Sequence, residues 1–271
     1  MTPLRQPRLT EIVAAASEAA CDAGRVIEAV RASASVSVTE KSDSSPVTLA
    51  DHQSDQLLHE RLQPLVADAA WLSEESVDDT RRVDAEWLWV VDPLDGTKEF
   101  IAGVPQYAVA IALCERGEPV LGIVHNPTTG DLFSAIRGQG ALKNGARVAV
   151  AENGVMLASR SEVKRGEFDV FDDWAIEPIG SIALKLALVA SGHGAVTLSR
   201  GPKWEWDVCA GSLLVTEAGG RATDMFGQPL RFNNAFPKVK GILAGAPGAV
   251  ERALGRLREV GGSDRMAELA G

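Results

Sequence analysis

The sequence predicts an α/β protein made of two closely packed halves, an α+β half over residues 1–150 and an α/β half over residues 151–271. Two observations predict this class. Before residue 150, helical patterns are followed by strand-like segments with short turns between them, which is typical of an antiparallel meander. After residue 150, strand-like and helical segments alternate, which is typical of a sheet covered by helices. The sequence shows no repeat and no low-complexity linker between the halves.

Two helices are predicted at the start of the first half. Apolar residues recur at helical spacing from Thr10 to about Arg31, and Thr10 is a suitable N-cap. A second helix is predicted from about Asp51 to Leu65, because several leucines fall on one side of it. The stretch between them, "SASVSVTEKSDSSP", alternates first and is loop-like afterwards.

Strands account for most of the remaining pattern. "AAWLSEES" predicts a short strand that runs into an acidic loop, and "EWLWVVDP" predicts a buried strand. The meander consists of residues 107–113, 119–125 and 131–136. In the second half, "VMLASR" and "AVTLSR" are strand-like, whereas "ALKLALVASG" and "DVCAGSLLVTEAGG" are helical. "KGILAGAPGAVERALGRL" predicts one strand and a closing helix.

In the segment "VVDPLDGTKEF", two aspartates, a proline and a glycine follow directly after an apolar strand. Pro93 cannot continue a hydrogen-bond ladder, Gly96 permits a backbone conformation closed to other residues, and Thr97 is a good N-cap. Asp92 and Asp95 therefore come at the end of the strand, beside free backbone N–H groups. Such N–H groups suit a phosphate oxygen, and the carboxylates suit a hard cation. An ordinary turn with an aspartate cap would explain the same residues without a metal.

Further acidic residues lie at similar positions along the chain. Glu74 and Glu75 follow a predicted strand in "LSEES", Asp207 begins a predicted helix in "EWDVCAGS", and Asp51 begins another in "SPVTLAD". Taken singly, each has a common explanation as a solvated loop residue or a helix cap. Two close carboxylates resist joint ionisation, and a divalent cation removes that conflict.

Other motif classes do not fit. A haloacid-dehalogenase-type phosphatase needs an aspartate nucleophile two residues before Asp95, where this chain has Pro93. A calcium loop with Gly96 in sixth place would need a glutamate in twelfth place, where Ala102 stands. The sequence contains no P-loop and no H-E-x-x-H motif.

Composition limits the possible partners and location. A net charge of −10 disfavours binding to a nucleic-acid polymer. The three cysteines are far apart and predict neither a disulfide framework nor a metal knuckle, which fits a reducing cytoplasm. The N-terminal sequence lacks the apolar region of a signal peptide, and no run approaches the roughly 18 apolar residues of a transmembrane segment.

Three motifs carry a resemblance to a known family. "WLSEES", "WVVDPLDGTKEF" and "WEWDVCAGSLLVTEAGG" occur in order and resemble the signatures of the inositol monophosphatase-like, Mg²⁺-dependent, lithium-sensitive phosphatases. "SDSSPVTLADHQSD" is similar to an upstream segment of the same family, and the resemblance covers roughly residues 10 to 250. It implies a layered αβαβα sandwich, phosphomonoester hydrolysis and a possible homodimer.

The resemblance also implies residue roles, all of them expectations at this point. Two or three Mg²⁺ ions would be held by carboxylates and by one backbone carbonyl, those of Glu74, Asp92, Asp95, Asp207 and Leu94. Asp51 and Thr97, with Glu74, would position the attacking water. Gly96 and Thr97 would present N–H groups to the phosphate, and Ser181 would face the substrate.

Within the superfamily, "DPLDGTKEF" is most similar to the CysQ-type 3′(2′),5′-bisphosphate nucleotidases. Arg200 stands near the place where inositol monophosphatases typically carry a glutamate, and Lys185 and Lys203 could join it in binding a second phosphate. This implies hydrolysis of the 3′-phosphate of 3′-phosphoadenosine 5′-phosphate. An inositol-1-monophosphatase or a fructose-1,6-bisphosphate-type sugar phosphatase, with the same metal chemistry, is the alternative.

Overall fold

A computed structural model describes residues 6–33, 38–40 and 46–268 of the protein. Within these residues the α-helices are α1 (Gln6–Ala32), α2 (Leu49–Leu62), α3 (Thr97–Ala102), α4 (Arg160–Lys164), α5 (Ile182–Ala190), α6 (Glu205–Glu217) and α7 (Pro247–Glu268). Residues 42–45 of the predicted upstream segment and residues 269–271 of the C-terminal tail lie outside the described residues.

The strands of the first half are β1 (Val38–Glu40), β2 (Pro46–Thr48), β3 (Ala70–Ser73), β4 (Trp87–Asp95), β5 (Ala108–Glu115), β6 (Glu118–Asn126), β7 (Asp131–Ile136), β8 (Ala141–Lys143) and β9 (Ala146–Val148). Those of the second half are β10 (Val155–Ala158), β11 (Ala175–Pro178), β12 (Val196–Ser199), β13 (Lys203–Trp204), β14 (Arg221–Thr223), β15 (Lys238–Val239) and β16 (Ile242–Gly245).

The larger sheet has the strand order β3-β4-β5-β6-β7-β8-β9 in the described part of the chain. β3 and β4 are parallel, and the following strands pair antiparallel, which confirms the predicted meander. Trp87, Trp89 and Val91 pack in the cluster formed with α1 and α2, whereas Leu88 and Val90 pack in the cluster that contains α5 and α6. β4 is apolar from Trp87 to Val91 because both faces of this part are covered.

The smaller sheet has the order β11-β10-β12-β16-β14. β10 runs parallel to β11 and β12, and β16 runs antiparallel to both of its neighbours. α5 and α6 lie between the two sheets, and α7 packs against the outer face of the smaller one. The layers are thus α1 and α2, sheet, α5 and α6, sheet, α7, which confirms the αβαβα sandwich. The sheets change near residue 150, and the division into two domains stays a prediction.

One contact determines how closely α6 approaches the larger sheet. A Cβ atom at Gly122, in β6, would lie 2.7 Å from the backbone carbonyl oxygen of Ala210, in α6. The helix therefore rests backbone to backbone on the strand, because glycine leaves no side chain between them.

The structure differs from the sequence prediction at several boundaries. α1 begins at Gln6, so Thr10 is not its N-cap. α2 becomes a 3₁₀ helix, Gln63–Val66, where Pro64 follows in its first turn. β4 resumes pairing beyond Pro93: the register shifts between Asp92 and Asp95, and Asp95 pairs with Ala108. The prediction that the strand ends at Pro93 was therefore wrong, because a bulge accommodates the missing N–H.

Short elements account for the other differences. The sequence pattern did not predict α4 or the strands β8, β9, β11 and β14, each of which has three to five residues. Such lengths are too short to display a helical or strand period. Among the described residues, no helix combines the length and the apolar run that crossing a bilayer requires.

Candidate active site

Three carboxylates from distant parts of the sequence converge. Glu74, Asp92 and Asp207 each offer one oxygen atom, and these atoms lie within 4.8 Å of one another. β3 and β4 are parallel with Ser73 beside Val91, so the next residues, Glu74 and Asp92, lie side by side. Asp207 arrives from the first turn of α6. These three residues form what we call the acidic cluster.

The protein itself leaves the acidic cluster electrostatically unbalanced. Burial, reinforced by the charges of its acidic neighbours, raises the pKa of Asp92 and that of Asp207 well above the ordinary range. Oδ1 of Asp92 accepts a hydrogen bond of 3.0 Å from the backbone N–H of Leu94. Its buried Oδ2 has no hydrogen-bond partner among the described residues. An orphaned carboxylate oxygen among like charges fits a hard cation such as Mg²⁺, which prefers oxygen ligands.

Asp95 lies beside the acidic cluster and turns toward α5. Its Oδ2 accepts hydrogen bonds from Ser181 Oγ at 2.6 Å and from Ala183 N at 2.7 Å. Burial raises the pKa of Asp95, and these two hydrogen bonds oppose that rise. In a regular strand, residues three apart face opposite sides. The register shift after Asp92 lets both aspartates reach the same end of the sheet.

Ser181 is the N-cap of α5 and has a positive φ of 55°. Its Oγ accepts from Leu184 N and donates to Asp95, so the side chain links a helix start to the aspartate turn. A positive φ in a non-glycine residue is uncommon and is held here by these bonds. Contact between Ser181 and a substrate stays a prediction.

Asp51 and Thr97 meet next to the aspartate turn. Thr97 Oγ1 lies 3.0 Å from Asp51 Oδ1 and 3.2 Å from the carbonyl oxygen of Leu94. Asp51 also closes a capping box at the start of α2, where its Oδ2 accepts from Thr48 N and Thr48 Oγ1. The predicted N-cap role of Thr97 was wrong: Gly96, with φ of 97°, precedes α3, and Thr97 is the first helical residue.

Two lysines form a cationic side of the site. Lys185 is 2% exposed, and burial lowers its pKa to about 8, although the charges of Glu162 and Asp95 oppose that fall. Lys203 Nζ lies 3.6 Å from Glu162 Oε1, and the same carboxylate accepts a hydrogen bond from Ser199. The structure therefore brings Lys185 and Lys203 into one electrostatic group with Asp95.

Arg200 has a different environment. Its guanidinium carbon lies 5.9 Å from the centroid of the Phe171 ring. The Nε and Nη2 atoms are buried and have no hydrogen-bond partner in the described ranges. Its ring contact and its two unsatisfied nitrogens distinguish it from Lys203, which pairs with Glu162.

Two further polar residues near this site, Glu162 and Gln106, carry no signal in the sequence pattern. Glu162 joins Lys203 to Ser199. Gln106 accepts hydrogen bonds through Oε1 from Gly180 N, at 2.8 Å, and from Arg160. Glu162 stands in the highly charged stretch "SRSEVKRGE", where nothing in the pattern indicates that a glutamate is buried.

Comparison with known proteins identifies the family. The sequence matches the inositol monophosphatase family over residues 8–261. The chain belongs to this family. Its members are Mg²⁺-dependent phosphatases that hydrolyse phosphomonoesters, and this chain is a phosphatase of that kind.

Individual relatives carry different names. The Nus factor SuhB of Xylella fastidiosa is 34% identical over 224 residues, which cover 77% of this chain and 80% of the relative. The 3′(2′),5′-bisphosphate nucleotidase CysQ of Aggregatibacter actinomycetemcomitans is 34% identical over 221 residues, 73% and 79% of the two chains. The structure of inositol monophosphatase from Anabaena (Nostoc) matches with a TM-score of 0.76 and 28% identity, over 93% of this chain and 96% of that one.

Proposed function

We propose that this phosphatase is a 3′(2′),5′-bisphosphate nucleotidase that removes the 3′-phosphate of 3′-phosphoadenosine 5′-phosphate. The observation that carries the proposal is a surplus of buried cationic groups. Lys185 is buried, and two guanidinium nitrogens of Arg200 are buried without a partner among the described residues. Burying the two Arg200 donors unpaired costs about 1–3 kcal/mol each, and Lys185 Nζ has a long hydrogen bond of 3.5 Å to the Ile179 carbonyl oxygen. Charge-assisted bonds to a second phosphate would recover that cost.

The relatives support two substrate classes. A CysQ nucleotidase at 34% identity supports the nucleotide. The similarity to an inositol monophosphatase, with a TM-score of 0.76, supports inositol 1-phosphate or a sugar phosphate as the alternative. The nucleotide matches the cationic groups better than inositol 1-phosphate does, because it carries two phosphates. Fructose 1,6-bisphosphate also carries two, and the substrate competition below separates it from the nucleotide.

In this proposal the Mg²⁺ ligands are Glu74, Asp92, Asp95, Asp207 and the Leu94 carbonyl, which would hold two or three ions. Bound there, Mg²⁺ would polarise the phosphoryl group and lower the pKa of water. The close approach of three carboxylate oxygens and the orphaned Asp92 Oδ2 support this ligand set.

The other residues of the chain position the water and the phosphate. Thr97 Oγ1 donates to Asp51 Oδ1, which leaves the hydroxyl oxygen as an acceptor for the attacking water. Glu74 takes up the proton of that water. The backbone N–H groups of Gly96 and Thr97 donate to the phosphate, where they stabilise developing negative charge. The water oxygen bonds to phosphorus as the bond between phosphorus and the 3′-oxygen breaks, and the 3′-oxygen leaves as a hydroxyl after taking a proton from solvent. The hydrolysis requires no covalent phosphoenzyme.

The second phosphate binds on the cationic side. Lys185, Lys203 and Arg200 donate to it, and Ser181 keeps Asp95 turned toward α5 while it faces the substrate. A homodimer, a cytoplasmic location and the exclusion of nucleic-acid polymers stay predictions.

Substrate competition tests the proposal. With Mg²⁺, 3′-phosphoadenosine 5′-phosphate should give a higher kcat/KM than inositol 1-phosphate or fructose 1,6-bisphosphate. Arg200→Ala should lower the nucleotide preference about 10-fold, since it removes a charged donor pair. Arg165→Ala is the matched control, because Arg165 is exposed and pairs with Glu167. A wild-type preference for inositol 1-phosphate would overturn the nucleotide assignment.

A further inference from the structure

A buried arginine anchors the loop that follows Glu74. Glu74 N donates to Val91 O at 3.3 Å, and the chain then leaves the larger sheet until β4 begins. Within this loop, the side chain of Arg82 is 1% exposed. Its Nε lies 2.6 Å from Asp78 Oδ1 and its Nη2 lies 3.0 Å from Asp78 Oδ2. This two-point contact sets the orientation of the guanidinium plane.

The same arginine reaches a residue far along the chain. Arg82 Nη1 donates to Asn233 Oδ1 at 2.8 Å, and Asn233 Nδ2 donates back to the Arg82 carbonyl at 2.8 Å. The pair is reciprocal, so it constrains both the side chain and the backbone of Arg82. The loop after Glu74 is thereby tied to the segment that precedes β15.

That segment is in turn tied to the start of α6. Asn233 N donates to Glu205 Oε2 at 2.7 Å, and Glu205 Oε1 accepts from Asn234 N at 2.9 Å and from Asn234 Nδ2 at 2.6 Å. Glu205 is 0% exposed and is the first residue of α6. Asp207 stands two positions later in the same helical turn.

These contacts form a continuous connection, which we call the arginine network: Asp78, Arg82, Asn233, Asn234 and Glu205. One end, Asp78, lies four residues after Glu74 in the chain, and the other, Glu205, lies two residues before Asp207. These two members of the acidic cluster come from different layers of the sandwich. Asn233 has a positive φ of 65°, a conformation that asparagine tolerates better than most residues and that its hydrogen bonds hold in place.

If its role were purely structural, the arginine network would affect only the stability of the fold. Its position between the segments that carry Glu74 and Asp207 predicts an effect on Mg²⁺ affinity as well. Mg²⁺ demands near-ideal octahedral geometry. The distance between ligands that come from two different layers must therefore vary little. Partners that orient ligands typically contribute 10- to 100-fold to metal affinity.

We propose that Arg82 and Asn233 are positioning residues that set the separation between Glu74 and Asp207 for Mg²⁺. This inference rests on the proposed metal-ligand roles of Glu74 and Asp207. Neither positioning residue contacts the substrate or the metal; each acts through the segment that it anchors.

Asn233→Gly is the sharpest test. Glycine keeps the backbone N–H that binds Glu205 and accepts the positive φ, while it removes both side-chain bonds to Arg82. Mg²⁺ binding to the metal-free, full-length protein is measured by titration calorimetry. We expect the Kd for Mg²⁺ to rise about 10-fold. The Mg²⁺ concentration for half-maximal phosphatase activity should rise in parallel, while kcat at saturating Mg²⁺ stays near the wild-type value.

Arg81→Ala is the matched control, because Arg81 is the adjacent arginine, is 90% exposed and pairs with the surface residue Asp79. It should leave the Kd for Mg²⁺ unchanged. Arg82→Lys is the second variant if Asn233→Gly does not fold; it keeps a positive charge but loses the fork, and its Kd should also rise.

The outcomes separate this inference from the proposed function. A folded Asn233→Gly protein that binds Mg²⁺ as tightly as the wild type overturns the positioning role and leaves the proposed function standing. A wild-type protein that binds no Mg²⁺ overturns the metal-ligand set and the positioning role together. A higher Kd in Asn233→Gly with an unchanged Arg81→Ala supports the inference.

Discussion

The acidic cluster and the arginine network both contain buried charged groups. In the network these groups have hydrogen-bond partners, whereas in the cluster a carboxylate oxygen has none among the described residues. In the network, both oxygens of Glu205 accept hydrogen bonds and the guanidinium of Arg82 faces Asp78. In the cluster, three carboxylates converge and Asp92 Oδ2 has no partner in the described part of the chain. Charge that the protein balances itself supports the fold, whereas charge left unbalanced indicates a place for a ligand.

The largest expected effect is on catalysis. Asp92→Asn and Asp95→Asn should each lower Mg²⁺-dependent kcat/KM by well over ~10²-fold, because each removes a principal electrostatic element. Asp172→Asn is the control, since Asp172 is an exposed carboxylate that pairs with Arg256. Activity within a few fold of the wild type in either cluster variant would contradict the ligand roles.

The same Asp92→Asn variant should have the opposite effect on the metal-free protein. Asparagine keeps an acceptor for Leu94 N and removes one of the repelling charges. In EDTA we expect Tm to rise by about 2–4 °C, which corresponds to about 1 kcal/mol in a chain of this size. A fall in Tm would show that the wild-type cluster is already balanced without metal.

A substitution in the arginine network should lower the free energy of unfolding. Arg82→Ala removes the donor to Oδ1 of the half-buried Asn233, removes the donors to both oxygens of Asp78 and empties a buried volume. We expect a loss of about 2–3 kcal/mol in the free energy of unfolding, measured by urea denaturation in EDTA. Arg81→Ala should change it by less than about 0.5 kcal/mol. If Arg82→Ala and Arg81→Ala lower the free energy of unfolding equally, the arginine network contributes no more to stability than an exposed arginine does.

The smallest expected effect concerns a third buried group, His125. Its Nδ1 lies 3.1 Å from the Asp131 carbonyl oxygen, and burial lowers its pKa below 6.5. Between pH 6.5 and that lower pKa, the unfolded chain binds a proton that the folded protein does not, so stability falls as pH falls. His125→Gln should flatten this fall by less than about 1 kcal/mol between pH 7 and 5.

Local chemistry made much of the acidic cluster predictable. Glu74, Asp92 and Asp207 each stand beside a strand end or a helix start, and the resemblance to the family brought them together before the structure did. The apolar run that precedes Asp92 also identified β4, because both faces of that strand are buried. The meander followed from similar patterns, whereas the layer order was implied by the resemblance to the family.

Long-range partners explain what the sequence did not reveal. Arg82 is adjacent to an exposed arginine in "DTRRVD", and its burial and its contact with the distant Asn233 distinguish it from that neighbour. Glu162 is buried because it meets Ser199 and Lys203, which no local pattern indicates. The continuation of β4 past Pro93 depends on β5, whose Ala108 pairs with Asp95.

The close contact at Gly122 has a consequence for the position of Asp207, one of the proposed metal ligands. Gly122 carries no functional group, yet its lack of a side chain sets the distance between β6 and α6, the helix that carries Asp207. A single methyl group there would act as a wedge 2.7 Å from a carbonyl oxygen and would lift the helix off the strand. The position of the Asp207 carboxylate therefore depends on residue 122 of the larger sheet having a hydrogen atom where other residues have a side chain.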